Sequence, residues 1–200
     1  MFVYQCITKT YLLHYITLHY IIVSSSSSSS MARSKTGPFF INHILSLNAT
    51  AVDQASTIDI SAYVDAGDSQ GLEIMSVDYV WFDSSNNRPI GHGLDFDAAV
   101  QLKDTATGGL VRYDNLHLVS SGQLYYDSAG AVFMATDIYP DNLSISKGGG
   151  RVTVNDALEI VAGCSTSVTN LMVCARIQCR VVSLNKRDYM TLALQTVADN

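Results

Sequence analysis

Charge is what this chain carries least of. Asp, Glu, Lys and Arg make up 15% of its 200 residues, against roughly 25% in a typical soluble domain. A surface so poor in charge suits a protein that hides much of its exterior against neighbours. It also suits a secreted β-domain faced with Ser, Thr, Asn and Gln. The charges that are present sum to −6, which argues against broad electrostatic capture of nucleic acid, since that needs Lys and Arg facing phosphate. No specific nucleic-acid partner is expected, although a small local basic patch is compatible with the count. Tyr11–Val23 is apolar but falls short of the ~20 residues that span a bilayer as a helix. His14, Thr17 and His19 also interrupt it, so no membrane span is expected.

Catalytic and cofactor signatures are equally scarce, and neither an enzyme nor a bound cofactor is expected. Gly148–Gly150 follows Lys147 but lacks the GxxxxGK[ST] spacing and leads into a strand rather than a helix, so it does not cradle phosphate. The four cysteines, Cys6, Cys164, Cys174 and Cys179, form no CxxC pair, and no His stands at a zinc-site spacing from them. Cys174 and Cys179 are five apart and on one strand face opposite ways, so they cannot bridge each other. Cys164 could meet Cys174 across a hairpin, but buried free cysteine is common, and the cysteines read as core filler.

What the chain does have is alternation. In Asn170–Val182, Val173, Ala175, Ile177, Cys179 and Val181 fall on one face, and Cys174, Arg176, Gln178, Arg180 and Val182 on the other. A strand with that pattern buries one side and exposes the other. Phe39–Ala49, Thr57–Val64, Gly71–Phe82, Phe96–Leu102, Leu110–Val119, Gln123–Tyr126 and Ala131–Ile138 read as further strands. Arg151–Ala162 reads as one more, with a bend near Asn155-Asp156. Gly71–Phe82 carries apolar residues on both faces, as expected of a strand that is covered on both sides or bulged. Asp83–Gly93 is the clearest loop. Ser183 or Asn185 can cap a terminal helix over residues 186–198, with Asp188 in its first turn. Tyr189, Leu192, Ala193, Thr196 and Val197 recur at helical spacing, so the helix is expected to dock on a sheet or a neighbour. About eight short strands at near-regular spacing with one short helix predict an all-β fold, an antiparallel β-sandwich or single jelly roll. Residues 39–200 read as a single domain with no internal repeat.

The first thirty residues differ from the rest. Met1–Ser30 has no Asp or Glu, four Tyr, two His and then seven consecutive serines. Met31-Ala-Arg-Ser-Lys35 follows and has the character of a natural start, with a small second residue and early basic charge. The leader is therefore read as upstream sequence translated ahead of Met31. A weak secretion signal and an interfacial anchor are the alternatives.

Few side chains group as a site. His92, between two glycines, with Asp95 and Asp97 is the most site-like cluster. A His with two carboxylates two apart could hold a divalent ion or serve acid–base chemistry, although solvent-facing acids beside a loop are commonplace. Asp65 with Asp68, or Asp53 with Asp59, could ligate calcium in a loop. Asn48-Ala-Thr50 and Asn142-Leu-Ser144 match the glycosylation sequon. Trp81 with Tyr79, and Tyr125-Tyr126, could form a sugar-stacking platform, but an aromatic on a long central strand is more often core. Arg176 and Arg180 share the polar face of the last strand, where they could meet acids of a neighbouring subunit or phosphate.

The basic start Met31–Lys35, the strands from Phe39 to Leu184, the low charge and the missing catalytic set together carry a resemblance. Over residues 31–200 the chain resembles, in architecture, the single jelly-roll capsid proteins of viruses. The resemblance implies self-assembly into a virion shell through sheet faces, loops and a terminal arm, Met31–Pro38, that reaches a neighbour or the packaged genome. It implies homo-oligomers, trimers or pentamers, with other capsid proteins as further partners. Arg33, Lys35, Arg176 and Arg180 are the candidate interface residues. The rival reading is a secreted carbohydrate- or ligand-binding β-sandwich, which would need exposed aromatics in line on one face.

Overall fold

The computed structural model describes residues 32–47, 52–88, 93–129, 132–139 and 150–198. The leader Met1–Ser30, His92 and both sequons lie outside the described residues. Ten strands and one α-helix follow in chain order: β1 (Arg33–Ser34), β2 (Phe39–Leu47), β3 (Gln54–Asp59), β4 (Gln70–Asp83), β5 (Phe96–Lys103), β6 (Leu118–Asp127), β7 (Val132–Tyr139), β8 (Arg151–Thr153), β9 (Ala157–Cys164), β10 (Leu171–Ser183) and α1 (Lys186–Ala198).

The strands form two five-stranded sheets. In the first, β10 pairs with β1 and β2 on one side and β4 on the other, and β4 pairs with β8. The second runs β3-β9-β5-β6-β7. Every pairing is antiparallel. The partners nest from the outside inward: β2 with β10, β3 with β9, β4 with β8, β5 with β6. This is a long antiparallel hairpin rolled on itself, so the chain is an all-β jelly roll. Consecutive strands alternate between the two sheets through most of the chain, which is how one hydrophobic face of each comes to meet the other.

β10 sits centrally in the first sheet, and its inward set Val173, Ala175, Ile177, Cys179 and Val181 is buried as the alternation predicts. β4 does not keep one phase. Gln178 pairs with Ser76 but Cys179 pairs with Ile74, so Met75 is an extra residue bulged out of the ladder. A bulge reverses the parity of everything after it. Leu72 and Ile74 are buried on one side of it and Val77 and Trp81 on the other. At the start of β8, a Cβ added to Gly150 would collide with the carbonyl of Ile74. Only glycine lets β8 lie that close to β4.

Three expected strands are corrected. Thr57–Val64 is strand only as far as Asp59. The Asp59 carboxylate accepts the Ser61 N–H at 2.9 Å, and the Tyr63 N–H turns back to the Ile60 carbonyl at 2.9 Å, which winds Ser61–Tyr63 into a 3₁₀ turn. Arg151–Ala162 is two strands in different sheets, β8 and β9, and the bend at Asn155-Asp156 is the crossover between them. In Leu110–Val119 only the last two residues are strand, the start of β6. The rest belongs to a strap, residues 104–117, that lies over the outer face of the second sheet.

Buried polar groups on that face hold the strap. Lys103 Nζ donates to Glu159 Oε2 at 2.8 Å, to the Gly109 carbonyl at 2.6 Å and to Thr107 Oγ1. Glu159 also accepts the N–H groups of Thr107 and Gly108. Burial pushes the Glu159 carboxyl up. The Lys103 hydrogen bond and the two backbone donors more than offset this and hold it below its ordinary value. Gln101 satisfies Val111 on both sides, donating to its carbonyl and accepting its N–H. These groups lie on the outward side of β5 and β9, so the strap gives the sheet a second buried layer.

At the C-terminus Asn185 is the cap: its Oδ1 accepts the Asp188 N–H at 2.8 Å, and its Nδ2 donates to Asp188 Oδ2 at 2.8 Å. Tyr189, Leu192 and Ala193 are half-buried, while Met190 and Leu194 face outward.

Candidate functional site

The first sheet presents an outward face whose rows are set by backbone register. Phe40, Gln178 and Ser76 form one row, Asn42, Arg176 and Asp78 the next, and Ile44, Cys174 and Val80 a third. Ser46, Met172 and Phe82 form the fourth. Phe40 is 51% exposed, Ile44 56% and Val80 46%. Among these twelve positions only Arg176 and Asp78 are charged. Arg176 leans toward β2, its guanidinium 5.3 Å from the centre of the Phe40 ring, while Asp78 stands on β4.

The other expected contact residues are placed as follows. Arg180 donates from Nε to Glu73 Oε2 at 2.6 Å, and Glu73 is buried and also accepts the Gly150 N–H at 2.6 Å. Its guanidinium is thus engaged within the chain. Arg33 is exposed, with its backbone paired to Ser183. Lys35 donates to Gln70 Oε1 at 2.9 Å and stands 3.8 Å from Asp68. The start of the expected arm therefore runs along β10 and extends the edge that β2 forms.

Asp95 accepts from both the hydroxyl and the N–H of Ser128, at 2.6 and 2.8 Å. These two bonds, the hydroxyl first, hold its carboxyl below its ordinary value. Asp97 lies on β5 opposite Tyr125. Asp53, Asp59 and Asp65 accept the N–H groups of Leu110, Ser61 and Gly67. These carboxylates thus serve as loop and turn acceptors, and no group of three metal-ligating side chains forms among the described residues.

Of the four aromatics expected to form a sugar platform, only Tyr125 is well exposed, at 44%. Trp81 is in the core, Tyr126 is buried and stacked on Phe96 at 5.4 Å, and Tyr79 reaches Ser120 with its hydroxyl at 2.7 Å. Cys164, Cys174 and Cys179 are free thiols. A Cys164–Cys174 bridge across a hairpin does not form, because β9 and β10 belong to different sheets. Burial pushes the Cys179 thiol up to about 12, as suits a core residue.

Sequence reasoning did not single out one polar cluster. Asp104 Oδ1 accepts from His117 Nδ1 at 2.9 Å, and its Oδ2 takes the Arg151 guanidinium at 2.5 Å. Arg151 also donates to the Leu116 carbonyl at 2.6 Å, and Asn155 Nδ2 donates to the Asp104 carbonyl. Asp104 and His117 are the two ends of the strap, so this cluster clasps the strap to β8. Beside it a cavity of about 610 Å³ opens toward α1, with Asp188, Thr191 and Leu192 on the helix side. An Asp–His pair is part of a hydrolytic triad, but neither Ser nor Cys lines this cavity among the described residues. Gly67-Asp68-Ser69-Gln70-Gly71 spells the GxSxG pattern of a nucleophile elbow. Here it is a tight turn entering strand β4, with Ser69 buried at φ 49°, and it lacks the strand-to-helix setting that the pattern needs.

His43 joins the two sheets at their open side. Its Nε2 meets Ser56 Oγ at 2.8 Å, linking edge strand β2 to edge strand β3. Burial lowers its pKa from 6.5, so folding favours the neutral ring. Its contribution is whole above pH 6.5 and is lost as pH falls through the depressed value. The wild type is therefore expected to lose more thermal stability than a His43→Gln variant between about pH 7 and pH 5. Equal losses in melting scans of the two proteins would remove His43 from that role.

No helix among the described residues is long and apolar enough to cross a membrane. The sequence matches no protein-family model and no curated protein. Solved structures similar to it include viral capsid proteins. That of Desmodium yellow mottle tymovirus shares 10% identity, with 80% of this chain and 95% of that chain covered, at a TM-score of 0.36. VP1 of Trichodysplasia spinulosa-associated polyomavirus, in complex with 3′-sialyllactose, shares 11% identity over 76% of this chain and 98% of that chain, also at a TM-score of 0.36. The likeness is one of fold, and the jelly roll itself is read from the strand order of this chain.

Proposed function

We propose that this chain is a virion structural protein, a capsid subunit whose mechanism is self-assembly rather than catalysis. The observation that carries this reading is the outward face of β2, β10 and β4. Single exposed apolar side chains are ordinary on any surface. Phe40, Ile44 and Val80 instead share one sheet face at matched register, with two charges among its twelve positions. A sheet face that exposes apolar side chains and carries few charges suits an interaction surface, since interface cores are depleted of charge in the same way. The jelly-roll order is compatible with a shell subunit, but lectin domains and cupins share it, so the reading rests on the face. A glycan platform is disfavoured because Trp81 and Tyr126 are buried, which leaves the exposed Tyr125 without its expected neighbour.

On this reading the partners are further copies of the chain, as trimers or pentamers, together with other capsid proteins, and the location is the virion. Arg33, Lys35, Arg176 and Arg180 remain the proposed contact residues, and of these Arg176 lies on the exposed apolar face. Light scattering after size exclusion of the full chain, with negative-stain imaging of the same peak, tests this. Rings, shells or stable trimers and pentamers are expected. A monomer at every concentration up to the millimolar range would overturn the assignment.

A further inference from the structure

Two charges lie within the four rows described on the outward face of the first sheet. They share a row, Arg176 on β10 and Asp78 on β4, yet the guanidinium lies on the other side of β10, over the Phe40 ring of β2. The guanidinium is thus displaced toward β2 and the neighbouring row that holds Phe40, while Asp78 stands on β4, with β10 between them. In the adjacent row, Ile44 of β2 and Val80 of β4 flank β10 in the same way, and both are about half exposed.

We infer that two copies pack this face against itself about a twofold axis running along β10. Such an axis keeps height along the strand and exchanges the two flanks. β2 of one copy then covers β4 of the other. Arg176 meets Asp78 of the second copy, Ile44 meets Val80 of the second copy, and each contact is made twice. The match needs no shift along the strands, because the paired residues already share rows. This is the self-complementarity that an isologous interface demands. An axis across the strands that passes through this row would set Arg176 against Arg176, and like charges opposed in an interface are unfavourable. The inference rests on the self-assembly reading and names the partner and the register for that face.

Charge reversal tests it in the full chain. Arg176 and Asp78 are both exposed, so Arg176→Glu and Asp78→Arg leave the core untouched, and circular dichroism verifies the fold of each. Sedimentation equilibrium is expected to show that each variant alone self-associates at least ~10-fold more weakly than the wild type, because each opposes two like pairs. Mixing the two variants equimolar restores opposite charges at both contacts. The glutamate introduced at position 176 then faces the arginine introduced at position 78, and the unchanged Asp78 and Arg176 face each other. A heterodimer of near wild-type affinity is expected. Unchanged association of both single variants would overturn this interface, and so would failure of the mixture to recover. If the wild type still forms closed assemblies in those cases, the capsid reading stands and only this interface is lost. A wild type that stays monomeric throughout removes both.

Discussion

Lys103→Met is expected to destabilise the fold by about 3–5 kcal/mol, the usual cost of removing one partner from a buried ion pair. Lys103 has no exposed surface, and its ammonium serves Glu159, Gly109 and Thr107 together. Without it the Glu159 carboxylate stays buried, with only the Thr107 and Gly108 N–H groups to stabilise its charge. Adding Glu159→Gln to Lys103→Met should recover much of the loss. A neutral amide oxygen still accepts those two N–H groups, and no unpaired charge remains. The single variant should also respond differently to acid. In the wild type the depressed Glu159 pKa contributes stability that is whole above pH 4.5 and lost as pH falls through the depressed value. Lys103→Met should flatten that dependence. Urea denaturation at neutral and acid pH measures both effects. A midpoint for Lys103→Met within error of the wild type would mean that the strap is held by other contacts.

Ile177→Ala is expected to cost about 2–5 kcal/mol, and Ile177→Val only about 0.5–1.5 kcal/mol. Ile177 is fully buried at the middle of β10, where it pairs with Ile41 on β2 and Val77 on β4. The strands on both sides restrict how far the structure can relax into the space left by the truncated side chain. Against a total stability of roughly 5–15 kcal/mol, the alanine variant approaches unfolding. The same truncation at Ile44, which is 56% exposed, should leave the stability of the monomer within about 0.5 kcal/mol of the wild type. Equal losses at the two positions would contradict the assignment of inward and outward faces.

The strands that can be read from the sequence are those whose burial follows a local rule. β10 alternates from Leu171 to Val181 because the bulge in that ladder falls on its partner, and only Val182, expected on the outward face, departs from the pattern by being buried. The helix is similarly legible, since Asn185 and Asp188 are three apart and cap one another. Met75 gives no local sign of being the extra residue in β4, so the change of face between Ile74 and Val77 emerges only when the strand is laid against β10. Leu110–Val119 has the composition of a strand, yet Asp53 takes the Leu110 N–H and Gln101 takes both backbone groups of Val111, so that most of it lies as a strap. Asp104, His117 and Arg151 likewise meet only because the strap returns to β8.

The candidate face divides along the same line. That Arg176 and Arg180 share a side of one strand follows from alternation alone. That Arg180 is held by Glu73, while Arg176 leans over Phe40 and remains exposed, depends on which strands flank β10. By itself the sequence determined an all-β chain of low charge with a capped C-terminal helix, because period, turn chemistry and capping act over a few residues. The nesting of the strands into a roll, the crossover at Asn155-Asp156, the strap and the partner of each charge were decided only by tertiary structure. Each depends on register between segments far apart in the chain, and a shift of one residue in that register exchanges the buried face of a strand for the exposed one.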